Sequence, residues 1–163
     1  MTLAVLDVLA RLLHILSVVV WVGHNYANVI QTPRFEPVSP ADPVTLTAAL
    51  RREHATFRHS SLVALATGLY MLWYRGILLD SLTMSGQWAV LGIGVWTGIV
   101  MVMNLWFVLW PHQKKVLGFV EASPEERIRC SRITFLSSRT NTILSIAAFF
   151  FMVTGAHGLF FYD

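Results

Sequence analysis

Residues 12–30 read LLHILSVVVWVGHNYANVI, and the reading of this stretch decides the fold. It is apolar enough to lie in hydrocarbon, yet it carries His14, His24, Asn25 and Asn28. About 20 such residues make one bilayer crossing. Two imidazoles and two amides inside a crossing need partners, because a buried polar group left unpaired is costly. The polar positions follow the heptad seam of a packed helix: Asp7, Arg11, His14, Ser17, Trp21, His24 with Asn25, then Asn28. That seam is expected to turn towards companion helices and away from lipid. Asp7 and Arg11, four residues apart, are placed to pair near one end of it.

The whole chain supports a membrane reading. Of its 163 residues 55% are hydrophobic and only 13% charged, against about 25% charged in soluble domains. Six Trp within an aromatic content of 12% suit interfacial belts and dense helix packing. The net charge of +3 comes from basic residues beside apolar runs, which argues against nucleic acid as a partner. Cys130 is the sole cysteine, so an internal disulfide and a cysteine-based metal cage are both excluded. The N-terminus shows no basic n-region and no A-x-A cleavage pattern, and the first apolar segment reads as a retained anchor.

Four segments have the length and character of spans: residues 8–30, 61–74 extended back through EHATFRHS, 88–110 and 135–160. No strand-like alternation occurs, and lipid admits only helices or closed barrels. The expectation is an all-α, integral membrane four-helix bundle forming a single domain over residues 1–163. The link QTPRFEPVSPADP, with four prolines, should be irregular, with Asp42 as an N-cap and Pro43 at the first helical position. Ser123 and Glu126 bracket Pro124 in a capping-box spacing ahead of the last span. Pro111 should kink or end the third span unless HQKKVLGFV carries it on along the surface. Ten of the twelve Lys and Arg flank the first and third links, and only Arg11 and Arg75 lie on the opposite side. The positive-inside rule then puts both long links in the cytoplasm and both termini on the outer side.

At about 1.5 Å of rise per residue the polar groups fall into two layers. His14, roughly 7 Å outward of the midplane by that rise, matches His157 in depth. Further in lie His24, His59, Asn104, Arg139 and Asn141, with Asn28 close by. Each also has a plainer reading. A membrane histidine can simply bond a neighbouring carbonyl; His54 and His112 can sit solvated at the interface; Arg139 can snorkel to the surface. Met101, Met103 and Met152 read as core filler. The functional reading is ligation: imidazoles on facing helices are usual axial ligands of a haem held in a bundle, and Arg or amide side chains steady its propionates. Covalent haem is excluded, since no CxxCH occurs. HExxH, P-loop and dinucleotide glycine patterns are absent too, as is a Ser/His/Asp cluster.

Four stretches together resemble a known family. LHILSVVVWVGHNYANVIQTPRF, FRHSSLVALATGLYMLW, MNLWFVLWPHQKK and SSRTNTILSIAAFFFMVTGAH resemble, in order, segments of the membrane domain of cytochrome c-linked bacterial urate oxidases. On that resemblance His14, Trp21, Gly23, Asn28, Gln31, Pro33, Arg58, Asn104, Pro111, Gln113, Arg139, Asn141 and His157 occupy motif positions. The chain departs from the family in carrying no cytochrome c domain, in being shorter than its eight-span membrane portion, and near Ile146, where proline is usual. The first helix also resembles the copper-resistance and four-helix protoporphyrinogen oxidase membrane families, the latter associated with b-type haem.

The resemblance implies a haem b-binding electron-transfer protein of the cytoplasmic membrane. His14 and His157 would be the metal ligands, with Arg139, Asn104 and Asn28 around the cofactor, and quinone or cytochrome c as redox partner. Two other readings stand beside it. One is a non-catalytic subunit of a larger respiratory or photosynthetic complex or a homo-oligomer. The other is a carrier that uses Asn28, Asn104, Arg139 and Asn141 to hold an anionic or purine-like molecule.

Overall fold

A computed structural model of the protein describes residues 2–37 and 48–157. The described chain is all helix and turn, without a strand. Helix α1 spans Leu3–Gln31, α2 spans Ala48–Tyr74, and a short α3 (Leu78–Leu82) with one 3-10 turn (Gly86–Trp88) leads into α4 (Ala89–Met103). A π-helical stretch, Asn104–Leu109, joins α4 to α5 (Trp110–Val116) without a break, and α6 spans Pro124–His157. Among the described residues, three rods are long and apolar enough to cross a membrane: Leu3–Gln31, Gly86–Val116 and Pro124–His157. The expected second span is the exception. Arg58 and His59 interrupt the apolar run of α2, so its length and composition do not mark it as a crossing.

Cross-helix bonds give the directions. His14 of α1 meets Ala64 of α2, and ten residues on His24 meets Glu53, so these two helices run antiparallel. Asn104 meets Asn141, while Gly94 lies against Met152, so α4 and α6 are antiparallel as well. The start of α1 and the end of α6 therefore lie at one end, together with the α2–α4 connection.

Polarity is inverted relative to a water-soluble fold. Asn25 and Asn141 are 1% and 0% exposed, whereas Ile30 and Phe107 on the outside are 77% and 73% exposed. Asp7, Ser17, Trp21 and Asn25 of the α1 seam are all buried. An outer surface of Leu, Ile, Val and Phe around a polar interior is stable where the surroundings are hydrocarbon. The Asp7–Arg11 pair forms, with Arg11 Nε 2.8 Å from Asp7 Oδ2.

Local signals act as their chemistry dictates. Ser123 caps α6, its hydroxyl accepting from the Glu126 amide at 3.2 Å; the Glu126 carboxylate turns instead to Lys115 Nζ at 2.5 Å. Helix α2 ends in a left-handed Gly76 (φ 71°), with Ile77 N bonded to Leu72 O and Gly76 N to Trp73 O, the two bonds of a Schellman ending. Pro111 does not end its helix, which runs on to Val116. A proline ring presses on the carbonyl four residues back and offers it no N–H. The wide π turn over Asn104–Leu109 takes up that misfit. Residues 32–37 are irregular as expected; Asp42 and Pro43 lie outside the described residues.

Candidate functional site

Between the α1/α2 pair and the α4/α6 pair lies a cavity of about 230 Å³. Most of the wall is apolar, with Val18, Leu65, Leu72, Val95 and Phe149, and three thioethers, Met71, Met101 and Met152, join it. The polar side chains on it are few: His14, Trp21, Ser145 and Arg75. An apolar pocket with a small number of placed polar groups is the usual form of a cofactor or ligand site.

His14 is fixed by the neighbouring helix. Its Nδ1 lies 2.8 Å from the carbonyl oxygen of Ala64 and 3.3 Å from Thr67 Oγ1. A ring nitrogen facing a carbonyl must carry the hydrogen and donate, which leaves the lone pair of a neutral imidazole on Nε2. Gly68 makes the room: a Cβ there would stand 3.1 Å from His14 Cε1. Backbone-bonded Nδ1 with a free Nε2 is the orientation in which histidine ligates a metal. Two buried polar groups further along α1 have no protein partner, the indole Nε1 of Trp21 and both amide atoms of Asn25. Such groups need water or a bound molecule.

His157 is not on the wall of this cavity. The cavity face of α6 runs through Ser145, Ala148, Phe149, Met152 and Ala156, a helical repeat of three and four residues. His157, one residue round from Ala156, is exposed at the helix end. Among the described residues, no group of three or more His, Cys, Asp or Glu side chains is arranged to hold a metal.

The expected inner layer divides in two. Asn104 donates to Asn141 Oδ1 at 2.8 Å and to Ser137 O at 3.0 Å, and accepts from Ser137 Oγ at 3.0 Å. Asn141 donates in turn to Met101 O at 3.2 Å. Arg139 is not part of this knot. It reaches across to the Thr32 carbonyl at the end of α1, and its guanidinium lies 3.3 Å from the centroid of the Phe135 ring. A cation at a helix C-terminus is favoured by the helix dipole. Asn28 sits nearby, its Oδ1 3.5 Å from Ser138 Oγ. Since Asn104, Asn141 and Arg139 already have protein partners, the carrier reading draws no support from them.

One cluster escaped the sequence reading. His54 was expected to be solvated and is 8% exposed. Its ring centroid is 5.9 Å from that of His24, and Gln113 Nε2 is 3.3 Å from its Nδ1. His24 Nδ1 in turn faces Glu53 Oε1 at 3.5 Å. The signal was present in the spacing: His54, Phe57, Ser61 and Ala64 are all buried and share one face of α2 at intervals of three and four. His59, off that face, is exposed and bonds Ala55 O at 2.8 Å. His112 bonds Val108 O at 2.6 Å. Arg58 stacks on Trp110 at 3.8 Å from the ring centroid, a cation–π contact that holds α2 to α5.

Comparison with known proteins gives one finding. A protein-family model described as urate oxidase N-terminal matches residues 46–163, which takes in every element after α1. No curated protein and no solved structure matches the chain. The match covers more than half of the sequence, and the chain belongs to the urate oxidase N-terminal family.

Proposed function

We propose that this chain is a membrane redox component that takes haem b into the cavity beside His14. The observation that carries the reading is the His14 imidazole, with Nδ1 held by the Ala64 carbonyl at 2.8 Å and Nε2 left as the free ring nitrogen of a neutral imidazole. The donor set fits the group on three counts. His14 would offer it a neutral imidazole nitrogen, the walls are apolar, and Arg75 on the cavity wall is a cation suited to a propionate carboxylate.

Bound there, haem would supply a centre that takes up and releases one electron. The chain's own part is positional. Ala64 and Thr67 orient the imidazole, Gly68 gives it space, and the apolar wall excludes water, which tunes a redox centre through the dielectric around it. Four crossings are part of the proposal: α2, packed along α1, completes the bundle in spite of Arg58 and His59. The uneven distribution of Lys and Arg supports a cytoplasmic-membrane placement with both termini outside. The cavity then lies nearer the outer face. Electrons would enter from a quinol or a dehydrogenase and leave to an acceptor such as cytochrome c. Urate oxidation itself is not assigned to this chain.

The test is an absorption spectrum of the protein purified from haem-sufficient cells, oxidised and then reduced with dithionite. A Soret band that His14→Ala removes is the expected outcome. A folded, colourless wild-type protein under those conditions would overturn the reading.

A further inference from the structure

We infer that the second axial ligand in this cavity is the thioether of Met152, and that His157 is not a ligand. The inference rests on the haem reading above. Helices α1 and α6 are antiparallel, and Ser138 Oγ stands 3.5 Å from Asn28 Oδ1, which fixes their register. His14 is fourteen residues from Asn28 towards the outer end, and Met152 is fourteen residues from Ser138 in the same direction. Equal steps of about 21 Å bring the two to one depth. Fourteen residues are close to four full turns, so each also stays near the face on which the register is set. His157 is five residues beyond Met152, about 7.5 Å further out, and it does not line the cavity.

The packing places the two groups on opposite walls. His14 is bonded to α2 and belongs to the α1/α2 pair. Met152 belongs to the α4/α6 pair, its Cγ 2.8 Å from where a Cβ on Gly94 would be and its Cε 3.5 Å from where one on Gly98 would be. Two glycines on α4 thus let this thioether lie along the cavity wall. The other candidates fail on position. Met71 is on α2, the same side as His14, and Met101 lines the deeper part of the cavity, its carbonyl bonded by Asn141, eleven residues inward of Met152 along α6. Histidine with methionine is an established axial pair that raises the reduction potential relative to two histidines.

The experiment begins with the unmutated holoprotein. The ferric wild type should show the weak far-red charge-transfer band of an iron–thioether bond, in absorption or magnetic circular dichroism. Met152→Leu should keep haem on His14 but lose that band, become five-coordinate when ferrous, and gain carbon monoxide binding. Met152→His should restore a six-coordinate ferrous spectrum at a lower midpoint potential than wild type, and His157→Ala should change none of these readouts. The inference is overturned if the wild type shows the near-infrared signature of two imidazoles. It is equally overturned if Met152→Leu leaves the spectrum intact while His157→Ala alters it. A colourless wild type sinks the haem reading itself and this assignment with it, an outcome distinct from a coloured protein with two imidazoles.

Discussion

His14 Nδ1 and the carbonyl oxygen of Ala64 lie 2.8 Å apart, so the backbone of α2 sets the tautomer of an imidazole on α1. A carbonyl inside a helix normally serves the amide four residues on, and its second lone pair is what His14 uses. The bond is compatible with both readings of a membrane histidine. It satisfies the donor whatever else happens, and it leaves Nε2 as the acceptor nitrogen of a residue that lines a largely apolar cavity.

Gly68 tests whether that ring position matters. An alanine there puts its Cβ 3.1 Å from His14 Cε1 and 3.4 Å from Nδ1. Replacing a mid-helix glycine with alanine gains about 1 kcal/mol of helix propensity. The contact is with a side chain that can move by a few tenths of an ångström, so Gly68→Ala should change unfolding stability by less than about 1 kcal/mol. The imidazole should tilt, and the ferric electron paramagnetic resonance of the haem-loaded protein should shift. An unshifted resonance would place the metal away from His14.

Gly94 predicts the opposite balance. A Cβ there meets Met152 N at 2.9 Å and Phe151 C at 3.3 Å, and backbone atoms cannot step aside. The α4 and α6 rods would have to separate, and overpacking of this kind costs about 1–3 kcal/mol, more than the propensity gain. Gly94→Ala should therefore lower the thermal unfolding midpoint in detergent, whereas Gly68→Ala barely moves it. Equal effects at the two sites would mean that the close approach of α4 to α6 is not as described.

Much of this architecture was legible in the sequence, because apolar length and polar spacing are one-dimensional signals. The α1 seam, the Asp7–Arg11 pair and the Ser123 cap all follow from intervals of three and four residues. Depth was legible too, since rise per residue is constant, which is why His14 and the end of α6 fall close together. Direction around the helix axis was not. His157 lies past the level of His14 and off the cavity face, and Arg139 has the expected depth but a reach long enough to serve Thr32 instead of the asparagines. His54 was misread because the charges around it suggest solvent, while its spacing with Phe57 and Ser61 puts it inside. Cross-helix orphans such as Trp21 Nε1 and Asn25 leave no mark in a sequence.

Asn104 and Asn141 should act as one unit. Asn104 donates to Asn141 Oδ1, and each amide also donates to a backbone carbonyl of the opposite helix, Asn104 to Ser137 O and Asn141 to Met101 O. Interhelical hydrogen bonds in membranes average about 0.6 kcal/mol and reach about 1.7. Removing one partner from a fully buried pair adds the cost of the group left behind. Asn104→Ala and Asn141→Ala should each destabilise by about 1–2 kcal/mol, and the double variant should cost clearly less than their sum. An additive double-mutant cycle would show that the two amides do not depend on each other.

Orientation gives the last prediction, through a cysteine background that the protein nearly supplies. Cys130 is 1% exposed, so it should react slowly with a membrane-impermeant maleimide and can be replaced by serine without loss of a disulfide. Ser85 lies in the α2–α4 connection and Glu121 in the link before α6, at opposite ends of the helices, and both are exposed. With both termini outside, Ser85→Cys should be labelled in spheroplasts before lysis and Glu121→Cys only afterwards. On the proposed orientation, the basic residues beside Glu121, among them Lys114, Lys115 and Arg127, would retain that end in the cytoplasm. The reverse pattern would invert the protein and move the His14 cavity to the cytoplasmic side, where it could not serve an external acceptor.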